Sequence, residues 1–110
     1  MAPLAFTTTL TSAGDALISL TGELDLSATA TLEEEIDRLA LEDGVRRVVL
    51  DLRELDFMDS TGVRVLVTAH LAAQEHGGRF SILRAQDGSP VQRVLEISGL
   101  DGVLELIDGP

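Results

Sequence analysis

The stretch VVLDLRELDFMDSTGVRVLVTAH, residues 48–70, decides the fold class of this chain, because it joins a strand pattern to a helix pattern. Its opening aliphatic run predicts a central strand that is buried on both faces, as in a parallel sheet. A short loop is predicted next, and a helix is predicted to begin near Ser60. The buried face of that helix is predicted to be formed by aliphatic residues at helical spacing: Val63, Leu66, Val67 and Leu71.

The segments before this stretch predict a β-hairpin and a first helix. PLAFTTTL (residues 3–10) and ALISLTGEL (residues 16–24) alternate as strands do, with a turn around Gly14 between them. Ser27 is predicted to cap a helix that runs to about Asp43. The buried stripe of this helix is predicted to consist of Leu32, Ile36, Leu39 and Ala40.

The segments after the stretch predict a strand, a helix and a final short strand. RFSILRA (residues 79–85) has the apolar and β-branched character of a strand. Ser89 followed by Pro90 is a typical helix start, with a capping residue before proline at the first helical position. That helix is predicted to stop at Gly99, and VLELI (residues 103–107) is predicted to form the last strand.

The predicted order of elements is therefore β-β-α-β-α-β-α-β. Strands that alternate with helices indicate an α/β fold, with a mostly parallel mixed sheet, an N-terminal hairpin and helices packed against the sheet. We expect a single domain that covers residues 1–110.

The composition excludes several classes of function. The formal net charge is −11, from 19 acidic residues and eight arginines, which makes direct binding to nucleic acid or to an anionic membrane surface a poor fit. Cysteine and lysine are absent, so no disulfide, thiolate metal site or P-loop is expected. The N-terminus lacks the pattern of a signal peptide, and no apolar run approaches the roughly 18 residues of a membrane helix. We therefore expect a soluble cytoplasmic protein that binds another protein.

Candidate metal and catalytic groups are few. His70 and His76 are six residues apart and do not share a helix face, which argues against a histidine metal pair. Asp25, Asp56 and Asp59 follow strands or lie in loops, where they could converge and bind Mg²⁺, although ordinary loop capping is favoured. A catalytic role for Ser60 is disfavoured because its flanks lack the GxSxG pattern. We expect no metal, no cofactor and no enzymatic activity.

The sequence DSTG, residues 59–62, suggests either a helix cap or a modifiable hydroxyl. Asp59 or Ser60 can bond to the free amides of the helix start, and this capping interpretation is favoured when the motif is taken alone. Gly62 removes side-chain bulk, which would let the active site of a partner approach. A phosphate on Ser60 would meet the positive end of the helix. It would also add about −1.5 to −2 charges beside Asp56 and Asp59.

The wider sequence resembles the STAS domain family, and within it the bacterial anti-sigma factor antagonists. The resemblance covers roughly residues 4 to 107, and its most specific parts are GELD (residues 22–25) and DSTG. The segments that carry it are TGELDLSATATLEEEI (21–36), VVLDLRELDFMDSTGVRVLVTAH (48–70), GGRFSIL (77–83) and VQRVLEISGLDGVLEL (91–106). A STAS-type sandwich is the fold that it implies.

The resemblance implies a phosphorylation-controlled partner switch. Ser60 would be phosphorylated by an anti-sigma factor that is also a serine kinase. The unphosphorylated form would bind that kinase and release the sigma factor, phosphorylation would abolish binding, and a PP2C-type phosphatase would restore the binding form. The implied partner-binding residues are Asp25, Asp59, Ser60, Thr61 and Gly62. Thr61 is expected to support the loop more than to accept phosphate.

Two alternatives to the switch remain open. One is a STAS module that does not switch, serving as a subunit of a lipid-transport ABC complex or as a scaffold in a signalling assembly. The other is a small enzyme with Ser60 as its nucleophile, which the missing base and oxyanion motif disfavour.

Overall fold

The computed structural model describes residues 2–109 and contains a mixed sheet with helices packed against it. The elements are β1 Ala5–Leu10, β2 Asp15–Leu24, α1 Thr29–Ala40, β3 Arg47–Asp51, β4 Leu55–Met58, α2 Ser60–His76, β5 Arg79–Leu83, α3 Pro90–Ile97, a short 3-10 helix Leu100–Gly102 and β6 Glu105–Ile107. The strand order is β1-β2-β3-β5-β6, with β4 beside β2. Only the β1–β2 pair is antiparallel in residues 2–109. The predicted fold class is confirmed.

The predicted hairpin and central strand are also confirmed. Gly14 has a φ of 94° in the turn between β1 and β2, a backbone conformation that glycine adopts without strain. Consecutive residues of β3 are buried, with Val49 1% exposed and Leu50 fully buried. The strand lies between β2 and β5, and α1 packs on it.

The strand β4 replaces the loop that the sequence predicted between β3 and α2. It pairs in parallel with the second half of β2, with Leu24 opposite Met58 and a register shift after Gly22. Four residues are too few to display a period of two, so the sequence alone gave no strand signal. This strand places the carboxyl end of β2 directly beside the start of α2.

The predicted boundaries of α1 are wrong at both ends. Ser27 does not cap the helix, which begins at Thr29, and Ala28 in the cap position makes no side-chain hydrogen bond. The amide and hydroxyl of Ser27 instead donate to Oδ1 of Asp25, at 3.1 and 2.7 Å. A local side-chain turn of this kind competes with helix capping.

At its other end, α1 stops at Ala40 rather than near Asp43. Turn hydrogen bonds, such as the one from the amide of Glu42 to the carbonyl of Leu39, replace the helical pattern there. The predicted stripe is confirmed at Leu32, Ile36 and Leu39, whereas Ala40 is exposed.

The predicted buried face of α2 is correct for Leu66 and wrong for Leu71. Val63 and Val67 are half-buried and pack against the core. Gly62, Val65 and Leu66 are buried, whereas Leu71 is 56% exposed. At 3.6 residues per turn, Leu71 lies about 140° around the helix from Leu66, which carries it out of the interface. In the described residues, 2–109, no helix combines the length and apolar character that crossing a membrane requires.

The start of α3 follows the sequence prediction. Ser89 Oγ accepts a hydrogen bond from the amide of Gln92 at 3.1 Å, and Pro90 is the first helical residue. The helix ends at Ile97, and Gly99 follows with a φ of 77°.

Candidate functional site

Asp59 is the N-cap of α2. Its Oδ1 accepts hydrogen bonds from the amides of Thr61 and Gly62, at 2.9 and 3.3 Å. Its carbonyl accepts the first helical bond, from the amide of Val63 at 3.1 Å. The sequence allowed either Asp59 or Ser60 to be the capping residue, and the structure shows that it is Asp59. The fold therefore does not use the Ser60 hydroxyl to hold the helix start.

The two hydroxyls of the motif have different environments. The Thr61 hydroxyl donates to Oδ1 of Asp59 and is only partly accessible. Ser60 is exposed in the first helical position, and its hydroxyl makes no hydrogen bond to another of residues 2–109. Ser60 is thus the hydroxyl of the pair that an outside reagent can approach without breaking an internal bond.

Gly62 faces the interior. It is buried, and a Cβ built on it would lie 2.4 Å from Met58 Cγ and 3.0 Å from Leu24 Cγ. The space left by its missing side chain is therefore occupied by the chain's own core. This location differs from the exposed position that the sequence suggested, because the direction of a helical residue depends on where the helix packs. Gly62 lets the first turn of α2 sit closely on β2 and β4.

Asp25 lies beside the motif because β2 and β4 end together. Leu24 and Met58 are paired, and the amide of Asp59 donates to the carbonyl of Leu24 at 3.4 Å. Asp25 and Asp59 are the next residues of these two strands, so they stand at one edge of the sheet. Each carboxylate accepts hydrogen bonds within its own loop, which agrees with the loop-capping interpretation.

The acidic side chains of residues 2–109 form no cluster that fits a metal ion. Asp56 lies within β4, exposed, rather than at the edge formed by Asp25 and Asp59. Within residues 2–109, no group of three or more His, Cys, Asp or Glu side chains is arranged to hold a metal.

Neither histidine of α2 is near Ser60. His70 and His76 lie 10 and 16 residues further along the same helix. At 1.5 Å per residue, these spacings correspond to about 15 and 24 Å. A serine–histidine pair on this helix is therefore excluded by geometry.

An apolar depression adjoins Ser60. It has a volume of about 280 Å³ and is lined by Met58, Asp59, Ser60, Val63, Val94, Ile97 and Ser98. Ile97 is 80% exposed, and Leu26, next to Asp25, is 70% exposed. Exposed apolar surface beside a depression, which Ile97 provides here, is typical of protein-binding surfaces. The sequence analysis did not identify Leu26 or Ile97 as surface residues of the site. Helical spacing could have indicated Ile97, because it lies about 200° around α3 from the buried Leu95 and so on the opposite side of the helix.

The Asp59 carboxyl has a lowered pKa. The hydrogen bond from the Thr61 hydroxyl lowers this pKa most, and the amides of Gly62 and Thr61 add to the effect, whereas partial burial opposes it. These donors favour the charged form of the carboxyl, which also faces the positive end of the helix.

We expect Asp59→Ala to lower the free energy of unfolding by about 1 kcal/mol at pH 7, as for other N-cap residues. Because the folded-state pKa is lowered, the carboxylate contributes fully above its unfolded pKa of roughly 3.9. Its contribution is lost as the pH falls from there through the folded pKa. The stability difference between the variant and the wild type should therefore narrow between pH 7 and pH 3, measured by urea unfolding.

Asp56→Ala is the matched control for the cap, because Asp56 is exposed and makes no side-chain hydrogen bond within residues 2–109. Its effect should stay within about 0.5 kcal/mol. A difference between Asp59→Ala and wild type that is constant or grows at pH 3 would contradict the charge-based account.

Comparisons with a family model and with known proteins agree with one another. A family model described as STAS domain matches residues 7–108. The anti-sigma F factor antagonist of Paenibacillus polymyxa is 28% identical over 95 residues, which are 86% of this chain and 80% of that protein. The anti-sigma-B factor antagonist of Staphylococcus aureus strain NCTC 8325 is 29% identical over 92 residues, 84% of this chain and 82% of that protein.

Two solved structures that are similar to this chain are both of SpoIIAA. The anti-sigma factor antagonist SpoIIAA in its unphosphorylated form has a TM-score of 0.79 and 25% identity, with 96% of this chain and 89% of that chain covered. The Bacillus cell fate determinant SpoIIAA in the phosphorylated form has a TM-score of 0.71 and 27% identity, with 96% and 92% covered.

Proposed function

Because the chain belongs to the STAS domain family, we propose that it is an anti-sigma factor antagonist whose binding is switched by phosphorylation of Ser60. The observation that carries this proposal is the exposed Ser60 hydroxyl, which is free of internal bonds at a helix start that Asp59 already caps. The names of its relatives and the two solved forms of SpoIIAA, phosphorylated and unphosphorylated, support the same role.

The proposed partner is an anti-sigma factor that is also a serine kinase. In the unphosphorylated state, the surface around Ser60 binds this partner and so releases a sigma factor. The loop of Asp25, the first turn of α2 and the depression next to Ile97 form this surface. Its apolar side chains supply contact area, and Asp25 and Asp59 hold the two loops in place by their local hydrogen bonds.

Phosphorylation is proposed to change the surface and leave the fold intact. The cap depends on Asp59, so a phosphate ester on Ser60 removes no bond that holds α2. The phosphate adds about −1.5 to −2 charges at a contact that already contains acidic side chains. A PP2C-type phosphatase would remove the group and restore the binding form. The protein itself is proposed to be a substrate and a binding partner, not a catalyst.

We expect incubation with the cognate kinase, ATP and Mg²⁺ to add one phosphate, and peptide mapping to place it on Ser60. Ser60→Ala should accept none, whereas Thr61→Val should still accept one, because the Thr61 hydroxyl is bonded to Asp59. Intact-mass analysis measures the number of phosphates.

Phosphate on Thr61, or full labelling of Ser60→Ala, would contradict the site assignment. If no kinase labels the chain while it still binds a transporter or scaffold protein, the module is one that does not switch.

A further inference from the structure

Two of the eight arginines make no ion pair or side-chain hydrogen bond with other described residues. Arg38, Arg47, Arg53, Arg79 and Arg84 are paired with carboxylates, and Arg46 donates to the carbonyl of Ala13. The remaining two are Arg64 and Arg93, and both are exposed. In a chain with a net charge of −11, an unpaired cation on the helix that carries Ser60 is unexpected.

Arg64 lies one helical turn after Ser60 on the same side of α2. The helix is continuous from Ser60 to His76, so the spacing of four residues places the two side chains on neighbouring positions, about 6 Å apart along the axis. An anionic residue followed four positions later by a cationic one is the favourable order for such a pair.

No acidic residue of α2 competes for Arg64. The positions three and four residues away on either side are Ser60, Thr61, Val67 and Thr68. At the sheet edge where α2 begins, Asp59 and Asp25 already accept hydrogen bonds in their own loops. The acids of α1, which packs against α2, form no ion pair with Arg64 within residues 2–109. In the unmodified protein, Arg64 therefore has no ion-pair or side-chain hydrogen-bond partner among residues 2–109.

Resting on the proposed phosphorylation of Ser60, we propose that Arg64 is the residue that holds the phosphoserine. Its guanidinium donates two N–H groups to phosphate oxygens and fixes the group along the first turn of α2. The phosphorylated state then has a defined surface, in which Arg64 opposes the repulsion that the phosphate meets from Asp25 and Asp59.

The test uses a chain in which phosphoserine is incorporated at position 60 during translation, so that no kinase is required. The second ionisation of the phosphate is followed by phosphorus NMR at low salt. We expect the phosphate pKa to be about 0.3 lower in the wild-type background than with Arg64→Gln, a twofold change that fits an exposed pair of this spacing. The difference should shrink at high salt.

The matched control exchanges two side chains of α2. The double variant Arg64→Gln, Gln74→Arg keeps the composition and net charge, and it moves the arginine to an exposed position about 21 Å from residue 60 along the axis. Its phosphate pKa should match that of Arg64→Gln. Equal values in wild type and Arg64→Gln, or a low value restored by the double variant, would overturn the proposal. Either result leaves kinase labelling of Ser60 to be judged separately.

Discussion

A phosphate on Ser60 is expected to weaken binding to the anti-sigma partner by between about 30-fold and about 4,000-fold. Ser60 is exposed between the loop of Asp25 and an apolar depression, so a docked partner would cover it. A phosphate that a docked partner buries without neutralising costs roughly 2–5 kcal/mol, and an exposed pair with Arg64 offsets at most about 0.5 kcal/mol of this. Each 1.4 kcal/mol is about tenfold in affinity. Titration calorimetry with the unphosphorylated and phosphorylated chains measures the ratio.

Two variants test whether the loss of binding requires a charge and whether that charge must be at residue 60. Ser60→Ala removes the acceptor and should bind within a few-fold of the wild type. Phosphoserine incorporated at Ser12, exposed in the turn between β1 and β2, adds the same charge at the opposite end of β2 and should leave binding unchanged. Equal affinity of the wild type and the Ser60-phosphorylated chain would contradict the electrostatic mechanism.

Gly62→Ala is expected to lower the free energy of unfolding by about 1–3 kcal/mol, the usual effect of overpacking a core. The added methyl would lie 2.4 Å from Met58 Cγ and 3.0 Å from Leu24 Cγ, so these side chains or the first turn of α2 must move. Helix propensity alone predicts the opposite sign, a gain of about 1 kcal/mol for alanine over glycine. Urea unfolding distinguishes a loss of stability from a gain. The melting temperature of Gly62→Ala should fall by about 4 °C for each kcal/mol of lost stability.

Gly78→Ala is the control for that substitution. A Cβ at Gly78 meets nothing within 4 Å, and its φ lies outside the left-handed region. This variant should therefore be as stable as the wild type to within about 0.5 kcal/mol. If Gly62→Ala proves as stable as Gly78→Ala, the close packing of α2 on β4 does not limit the size of the side chain at residue 62. Because α2 carries Ser60, a displaced first turn should also slow phosphorylation.

Long or chemically specific signals in the sequence were enough to predict several parts of the fold. The aliphatic run of β3 predicted a central buried strand, and Ser89 with Pro90 predicted the start of α3. DSTG predicted where α2 begins, at Ser60. These signals are local: they depend on side-chain periodicity, on proline geometry and on hydrogen bonds within a few residues, all of which the order of residues fixes.

The arrangement of the candidate site, in contrast, depends on tertiary packing. This packing paired β4 with β2, turned Gly62 inward, bonded the Thr61 hydroxyl to Asp59 and left the Ser60 hydroxyl exposed. Each of these outcomes depends on a partner distant in sequence or on a choice between neighbouring hydrogen-bonding groups. A four-residue strand, or a serine that can either cap a helix or bond an aspartate, has no preferred state until the packing around it supplies one.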